Sequence, residues 1–405
     1  MYNTILIVLS VVVLIAYLFD VAAPRTRIPS VLLLMLLGVV IRQASVSFHW
    51  KVPDFTDQIS VLGNIGLVLI VFEGALELPI QKSDVPMIRK SIIMSFLGLL
   101  LTASLTTVIL KFAFFANWHA AAVNAIPLSI ISSAVAVPTA RMFSKSQSDF
   151  IVFESSFSDI FGVLVFNFVT INTVFNAMVG LEFVFQLLVS VALSFVATAI
   201  LAFLLSRLKH RIRFIPIIAF MMLMYGVSKE LNLPGLIMIL MMGLALANTE
   251  KFVHFDWFQR FKPHRLTQEV KNLERIVFEV TFVVRLSFFL LFGYSINLAG
   301  LGNLDSWLVS FVVVTGLVLI RAISLIIMGT PWFPYLFIAP RGLITILLFL
   351  SIPSSLMIPK IDQNFIMQVV VMSVFLMMLA TLFAPSKKKL AAMEALAEEN
   401  NSTGG

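Results

Sequence analysis

The sequence predicts an all-α polytopic membrane protein of about thirteen transmembrane helices. They form inverted repeats, with two broken helices, spans five and twelve, crossing at the midplane. Three observations carry this. Of the 405 residues, 60% are hydrophobic and 12% charged, against about 25% charged in an average soluble domain, and the mean hydropathy is +1.02. The apolar runs match a bilayer, where about 20 helical residues cross roughly 30 Å of hydrocarbon. Basic residues concentrate on alternate loops. This composition excludes a soluble enzyme, a disordered chain and a disulfide scaffold. With no cysteine, thiol catalysis and thiolate metal sites are excluded too.

Thirteen runs read as spans: 2–19, 28–41, 59–80, 91–115, 119–143, 149–175, 183–205, 214–228, 234–247, 273–297, 306–329, 333–352 and 363–384. The first lacks a basic leader and a small-residue cleavage site, so it reads as a retained span rather than a signal peptide. Twenty of the 28 Lys and Arg residues fall on one set of alternate loops and five on the other, while Arg285, Arg321 and Arg341 lie within spans. By the positive-inside rule the N-terminus is outside and the C-terminus cytoplasmic, which needs an odd number of spans. The expected location is the cell (inner) membrane. The net charge of +7 therefore reports topology, not nucleic-acid binding.

Span five carries Pro127 and Pro138 around ISSAVAVPTA, and span twelve carries APRG, with Pro340 and Gly342. Proline inside a helix removes a backbone hydrogen bond and clashes with the preceding turn. Bare backbone is tolerated at membrane depth only where protein or a cavity surrounds it. The two breaks lie seven spans apart, so counterparts run in opposite directions. That is the pattern of an inverted-repeat secondary transporter, whose broken helices meet at the substrate site; two ordinary proline kinks are the plainer alternative.

Charges inside spans are costly and are paired or functional. The acids at depth are Glu73, Glu154 and Asp159, with Glu77 and Glu279 nearer the cytoplasmic ends. Span six is densest: FESSFSDIFGVLVFNFV, Phe153 to Val169. Asp159 lies near its middle. Ser155 and Asp159 are four apart and share a helix face, as do Glu154 and Ser158; Gly162 continues the face of Asp159 and admits another backbone. Carboxylate, hydroxyl and freed carbonyl oxygens are hard ligands, suited to Na⁺ or H⁺.

Four stretches resemble the monovalent cation/proton antiporters, in particular the NhaP-like and animal sodium/proton exchanger branch. FEGALEL (Phe72 to Leu78) is similar to the FEGGLEL-type motif of span three, and FESSFSD to the ES-x-x-ND motif. IRAIS (Ile320 to Ser324) resembles the RP-L-S stretch of span eleven, and APRGLIT (Ala339 to Thr345) the GPRG stretch of span twelve. The resemblance implies exchange of a monovalent cation, Na⁺ first, for H⁺ by alternating access. A K⁺/H⁺ antiporter, or a non-transporting sensor or channel on the same fold, is the alternative. It implies a transmembrane domain over 1–384 with a short cytoplasmic tail, 385–405. Within it, a dimerisation part (1–80 and 214–297), a core (91–175 and 306–384) and a linking helix (183–205) are expected, in a homodimer without cofactor.

On this resemblance Asp159 is the shared proton and cation carboxylate, and Ser155 a Na⁺ ligand with it. Ser132 and Ser133, in the break of span five, and Ser158 add oxygens, and Glu73 approaches directly or through water. Glu154 and Arg321 form a structural ion pair. Arg341 and Arg285 serve as helix-break charges, Arg285 also reading as the partner of Glu73 or Glu279. Two departures stand out. The family's T-D-P reads Ser132-Ser133-Ala134, without its acid, and its Asn-Asp pair reads Ser158-Asp159. A single carboxylate argues for electroneutral exchange. The segment 249–275, with His254, Trp257 and His264, reads as an interfacial helix and loop, and Lys387 to Asn400 as a short solvated helix. No G-x-G-x-x-G fingerprint is present.

Overall fold

A computed structural model of the chain describes residues 2–26, 28–48, 56–76, 84–140, 142–173, 176–207, 214–231, 233–249, 263–296 and 304–383. Among them the regular structure is helical: α1 (Tyr2–Thr26), α2 (Ser30–Ser47), α3 (Thr56–Leu76), α4 (Val85–Phe114), α5 (Trp118–Ser129), α6 (Ser133–Ala140), α7 (Lys145–Ile171), α8 (Ala177–Arg207), α9 (Phe214–Glu230), α10 (Gly235–Ala247), α11 (Pro263–Ser295), α12 (Leu304–Ile327), α13 (Leu343–Leu350) and α14 (Gln363–Leu382). With α5 and α6 as halves of one interrupted helix, and α13 joined to the irregular stretch before it, these give thirteen helical units among the described residues. Seven are long and apolar enough to cross a membrane by length and composition.

Local chemistry explains several boundaries. Asn117 caps α5 by accepting the Ala120 N–H at 2.6 Å, and Asp362 caps α14 by accepting the Phe365 N–H at 2.9 Å. Ser144 and Gln147 form a capping box at the start of α7. Each supplies a side-chain partner where a helix begins without one.

Two expectations change. The segment 263–275 is not a separate interfacial element, because α11 runs unbroken from Pro263 to Ser295. Between those two ends there is no proline, and Gly293 is the first glycine, so nothing stops the helix. His264 lies in its first turn, while His254, Trp257, Glu77 and the tail from Lys387 lie outside the described residues. In span twelve only the second half is a helix: residues 331–342 are turns and extended chain, and α13 follows. Pro331, Pro334 and Pro340 each remove a backbone donor there.

Helix α3 packs between α10 and α11, with α11 also along α2 and α10 also along α8. On the other side α4 packs on α5, α7 and α12, and α12 on α14. The two groups meet where α7 touches α3 and α10, and where α13 reaches α3 as well as α5. Apolar side chains such as Leu14, Leu18, Phe185, Leu188 and Phe195 remain exposed on α1 and α8, as suits helices whose outer face meets lipid rather than water.

Candidate functional site

Two interrupted backbones cross beside the middle of α7. Between α5 and α6 the chain is non-helical over 130–132. There the Ser132 N–H donates to Pro340 O at 2.9 Å, tying one break to the other. The Ile131 N–H donates to Ser158 Oγ at 2.9 Å. Backbone donors freed by the break are thus satisfied by the facing break and by α7, as burial demands. Two glycines allow this approach. A Cβ on Gly342 would lie 2.6 Å from Val135 Cγ2 and 2.8 Å from Ser132 Oγ, and one on Gly162 would run into the Ile130 side chain.

The half-helix ends left by the break carry opposite partial charges, and each meets its complement. At the positive N-terminus of α6, Asp159 Oδ2 accepts the Ser133 N–H at 3.1 Å and the Ser133 hydroxyl. At the negative C-terminus of α5, Arg341 Nε donates to Leu128 O at 2.8 Å and Nη2 to Ser129 O at 3.4 Å. Its Nη1 donates to Ala339 O at 2.6 Å, and its backbone N–H to Ser373 Oγ at 2.9 Å. Asp159 is 4% and Arg341 3% exposed.

All of the donation to Asp159 falls on Oδ2. Its other oxygen, Oδ1, is buried without a hydrogen-bond partner among the described residues, as are Ser132 Oγ and Thr345 Oγ1. A buried carboxylate oxygen in that condition is unstable unless it takes a proton or a cation. The oxygen donors are of the hard type that fits a small monovalent cation.

Four further charges form two pairs. Arg321 on α12 makes a two-pronged bond to Glu154 on α7: Nη1 to Oε1, and Nη2 to Oε2 at 2.7 Å. Its Nε donates to Tyr335 O at 3.0 Å, so one guanidinium joins α7, α12 and the irregular stretch before α13. Arg285 approaches Glu73 at 3.8 Å, linking α11 to α3. Arg285 sits in an unbroken part of α11, so its grouping with Arg341 as a helix-break charge is corrected. Among the described residues the guanidinium at the crossing is that of Arg341.

The predicted oxygens divide. Ser133 contacts Asp159. Ser158 instead accepts from the backbone at Ile131. The Ser155 hydroxyl donates to Ile151 O at 2.8 Å in its own helix, a common outcome for serine in a helix. Glu73 has its ion pair with Arg285, while its neighbour Gly74 faces Ser156 on α7. Sequence reading passed over Leu128, Ser129 and Tyr335, and took Pro340 as a helix breaker rather than an acceptor; all four act through carbonyls that every residue possesses. It also passed over Ser373, Thr345 and Asn167, polar residues inside apolar spans, which is a visible signal. Asp159 lines a narrow cleft between α3, α7 and α10, together with Val71, Val163, Asn167, Pro234 and Ile237.

The family described as sodium/hydrogen exchanger, transmembrane, matches residues 10–385. Among solved structures, that of the sodium proton antiporter MjNhaP1 from Methanocaldococcus jannaschii at pH 8 is similar over 98% of this chain and 99% of its own. The TM-score is 0.68 and the identity 18%. A second structure of MjNhaP1, from an electron-microscopy map, gives a TM-score of 0.71 at 16% identity, over 97% and 98% of the two chains. At such identities the likeness is one of fold. A comparison with curated protein sequences finds no match.

Proposed function

The chain belongs to the transmembrane sodium/hydrogen exchanger family, a family of transporters and not enzymes, and we propose that it exchanges a monovalent cation, Na⁺ first, for H⁺ through Asp159. The observation that carries this reading is the half-satisfied carboxylate at the crossing of two helix breaks. Ser133 and the α6 N-terminus hold Oδ2. Oδ1 is left to take either the proton or the cation, and Ser132 Oγ supplies a second buried oxygen at the same break. Ser155 and Ser158 enter as positioning residues whose oxygen lone pairs add to the cation's surroundings, and Glu73 as an acid near the approach.

Alternating access follows if the core (91–175 and 306–384) moves against the part formed by 1–80 and 214–297, with 183–205 linking them. The cleft bearing Asp159 lies where these parts meet. Glu154 and Arg321 would hold the core rigid, and Arg341 would keep the two breaks locked together during the movement. A homodimer through the 1–80 and 214–297 part, an N-terminus outside and a cell-membrane location complete the reading. Asp159 is neutral when it carries either H⁺ or one cation, so each return trip moves the same charge and exchange is electroneutral.

The test is exchange in proteoliposomes. Wild type should dissipate a preset pH gradient on addition of Na⁺, Li⁺ or K⁺, and Asp159→Asn should abolish that while keeping its elution profile and thermal stability. Exchange by Asp159→Asn would overturn the assignment. A K⁺/H⁺ exchanger, or a non-transporting sensor or channel on the same fold, is the second reading, and one observation favours it: Ser133 stands where the resembling family carries an acid. The same assay separates these by which cation, if any, collapses the gradient.

A further inference from the structure

The cleft beside Asp159 is lopsided along α7. Its α7 lining residues are Asp159, Ile160, Val163, Leu164 and Asn167, and none precedes Asp159. From there it extends toward the end of α7 at Ile171 and meets Pro234, which precedes the first turn of α10. In the other direction Gly74 of α3 faces Ser156 of α7, and Glu73 is paired with Arg285. The end of α7 and the start of α10 share the face with few basic loop residues, the extracytoplasmic one by the positive-inside rule.

Asn167 stands out in this cleft. It lies eight residues beyond Asp159, roughly 12 Å along the helix at about 1.5 Å per residue. It is half-buried between Val163, Leu164 and Ile237, and its amide is hydrogen-bonded to no described residue. Polar groups inside a membrane protein face cavities and mark ion pathways. Its carbonyl oxygen is a neutral hard ligand, able to replace a water of hydration without trapping the ion as a carboxylate would.

We infer that this cleft is the outer access route to Asp159, and that the Asn167 amide is the polar group on which the exchanged cation sheds part of its hydration on the way in. The inference rests on Asp159 being the carrier, and it assigns the route and the residue that set affinity from one side.

The chain contains no cysteine, so a single introduced thiol reports without background. In Asn167→Cys, a membrane-impermeant cationic methanethiosulfonate should react from the outer face at least about tenfold faster than from the cytoplasmic face, as a one-sided route requires. Leu164→Cys, on the same lining, is the second reporter if Asn167→Cys does not fold. Reaction chiefly from the cytoplasmic face, or from neither face at both positions, overturns the route. For the amide, Asn167→Leu in proteoliposomes should raise the apparent cation KM on the outer side by about threefold to tenfold, the loss of one weak neutral ligand, with kcat and the inner-side KM little changed. An unchanged outer KM, or equal rises on both sides, overturns the role of Asn167. Thiol labelling needs no transport, so the route is tested even if Asp159→Asn sinks the carrier assignment.

Discussion

Cutting the Glu154–Arg321 bond should cost as much stability as removing a large buried side chain, and the cost should belong to the pair. Glu154 is 2% and Arg321 6% exposed. Removing the carboxylate with Glu154→Ala leaves a buried guanidinium whose remaining partner is Tyr335 O at 3.0 Å. Removing the guanidinium with Arg321→Ala leaves a buried carboxylate and frees that carbonyl as well. Breaking one side of a buried pair costs about 3–5 kcal/mol, most of it for the charge left behind. The double variant leaves neither charge, so its loss is chiefly that of the cavity, about 2–4 kcal/mol. Independent residues would instead lose about 6–10 kcal/mol together. The assay is a double-mutant cycle by chemical unfolding in mixed micelles, with apparent Tm in detergent as the parallel reading. A double loss within about 0.5 kcal/mol of the sum of the single losses would show that the two residues do not interact and refute the reasoning.

Three further outcomes are expected. Gly162→Val should reduce exchange at least about tenfold with retained expression, because its side chain runs into Ile130 at the break, a typical cost of overpacking being about 1–3 kcal/mol; full activity would mean the break is not held there. Arg341→Ala should lower Tm and exchange together, since it strips the Leu128 and Ser129 carbonyls of their donors, and Arg341→Lys should restore little, a single ammonium being unable to span that set; rescue by Lys would show that charge alone suffices. Protons and cations compete for Asp159, so apparent cation KM should rise toward tenfold for each unit of falling pH once the site is protonated, with no response to a clamped membrane potential; a rate that follows the sign of the potential would require a second titrating group, Glu73 first.

The site was legible where chemistry is local. FESSFSD and APRG mark a helix with buried acids and a span that cannot stay helical, and Pro127 with Pro138 marks the other break. A polar residue or a proline inside an apolar run is an energetic anomaly that needs no partner to be seen. The thirteen apolar runs and the 20-to-5 division of basic residues between alternate loops are likewise properties of composition along the chain. The single helix from Pro263 to Ser295 was missed because charged residues in its first part resemble a loop, although nothing in them breaks a helix.

Only the tertiary structure decided who meets whom. Spacing put Ser155 and Asp159 on one face, yet the Ser155 hydroxyl turned to Ile151 O in its own helix, while Ser133, 26 residues away from Asp159, became its donor. Three arginines lie inside spans; the sequence shows Arg341 within the APRG break and leaves Arg285 open between Glu73 and Glu279, while it assigns Arg321 to Glu154 only through likeness. Helix packing sent Arg321 to Glu154, Arg285 to Glu73 and Arg341 to the carbonyls at the end of α5. Those choices depend on the rotation and depth of one helix against another, which 3.6-residue periodicity does not encode within a span apolar on every side. They depend also on backbone carbonyls, which carry no residue-specific signal until a break exposes them.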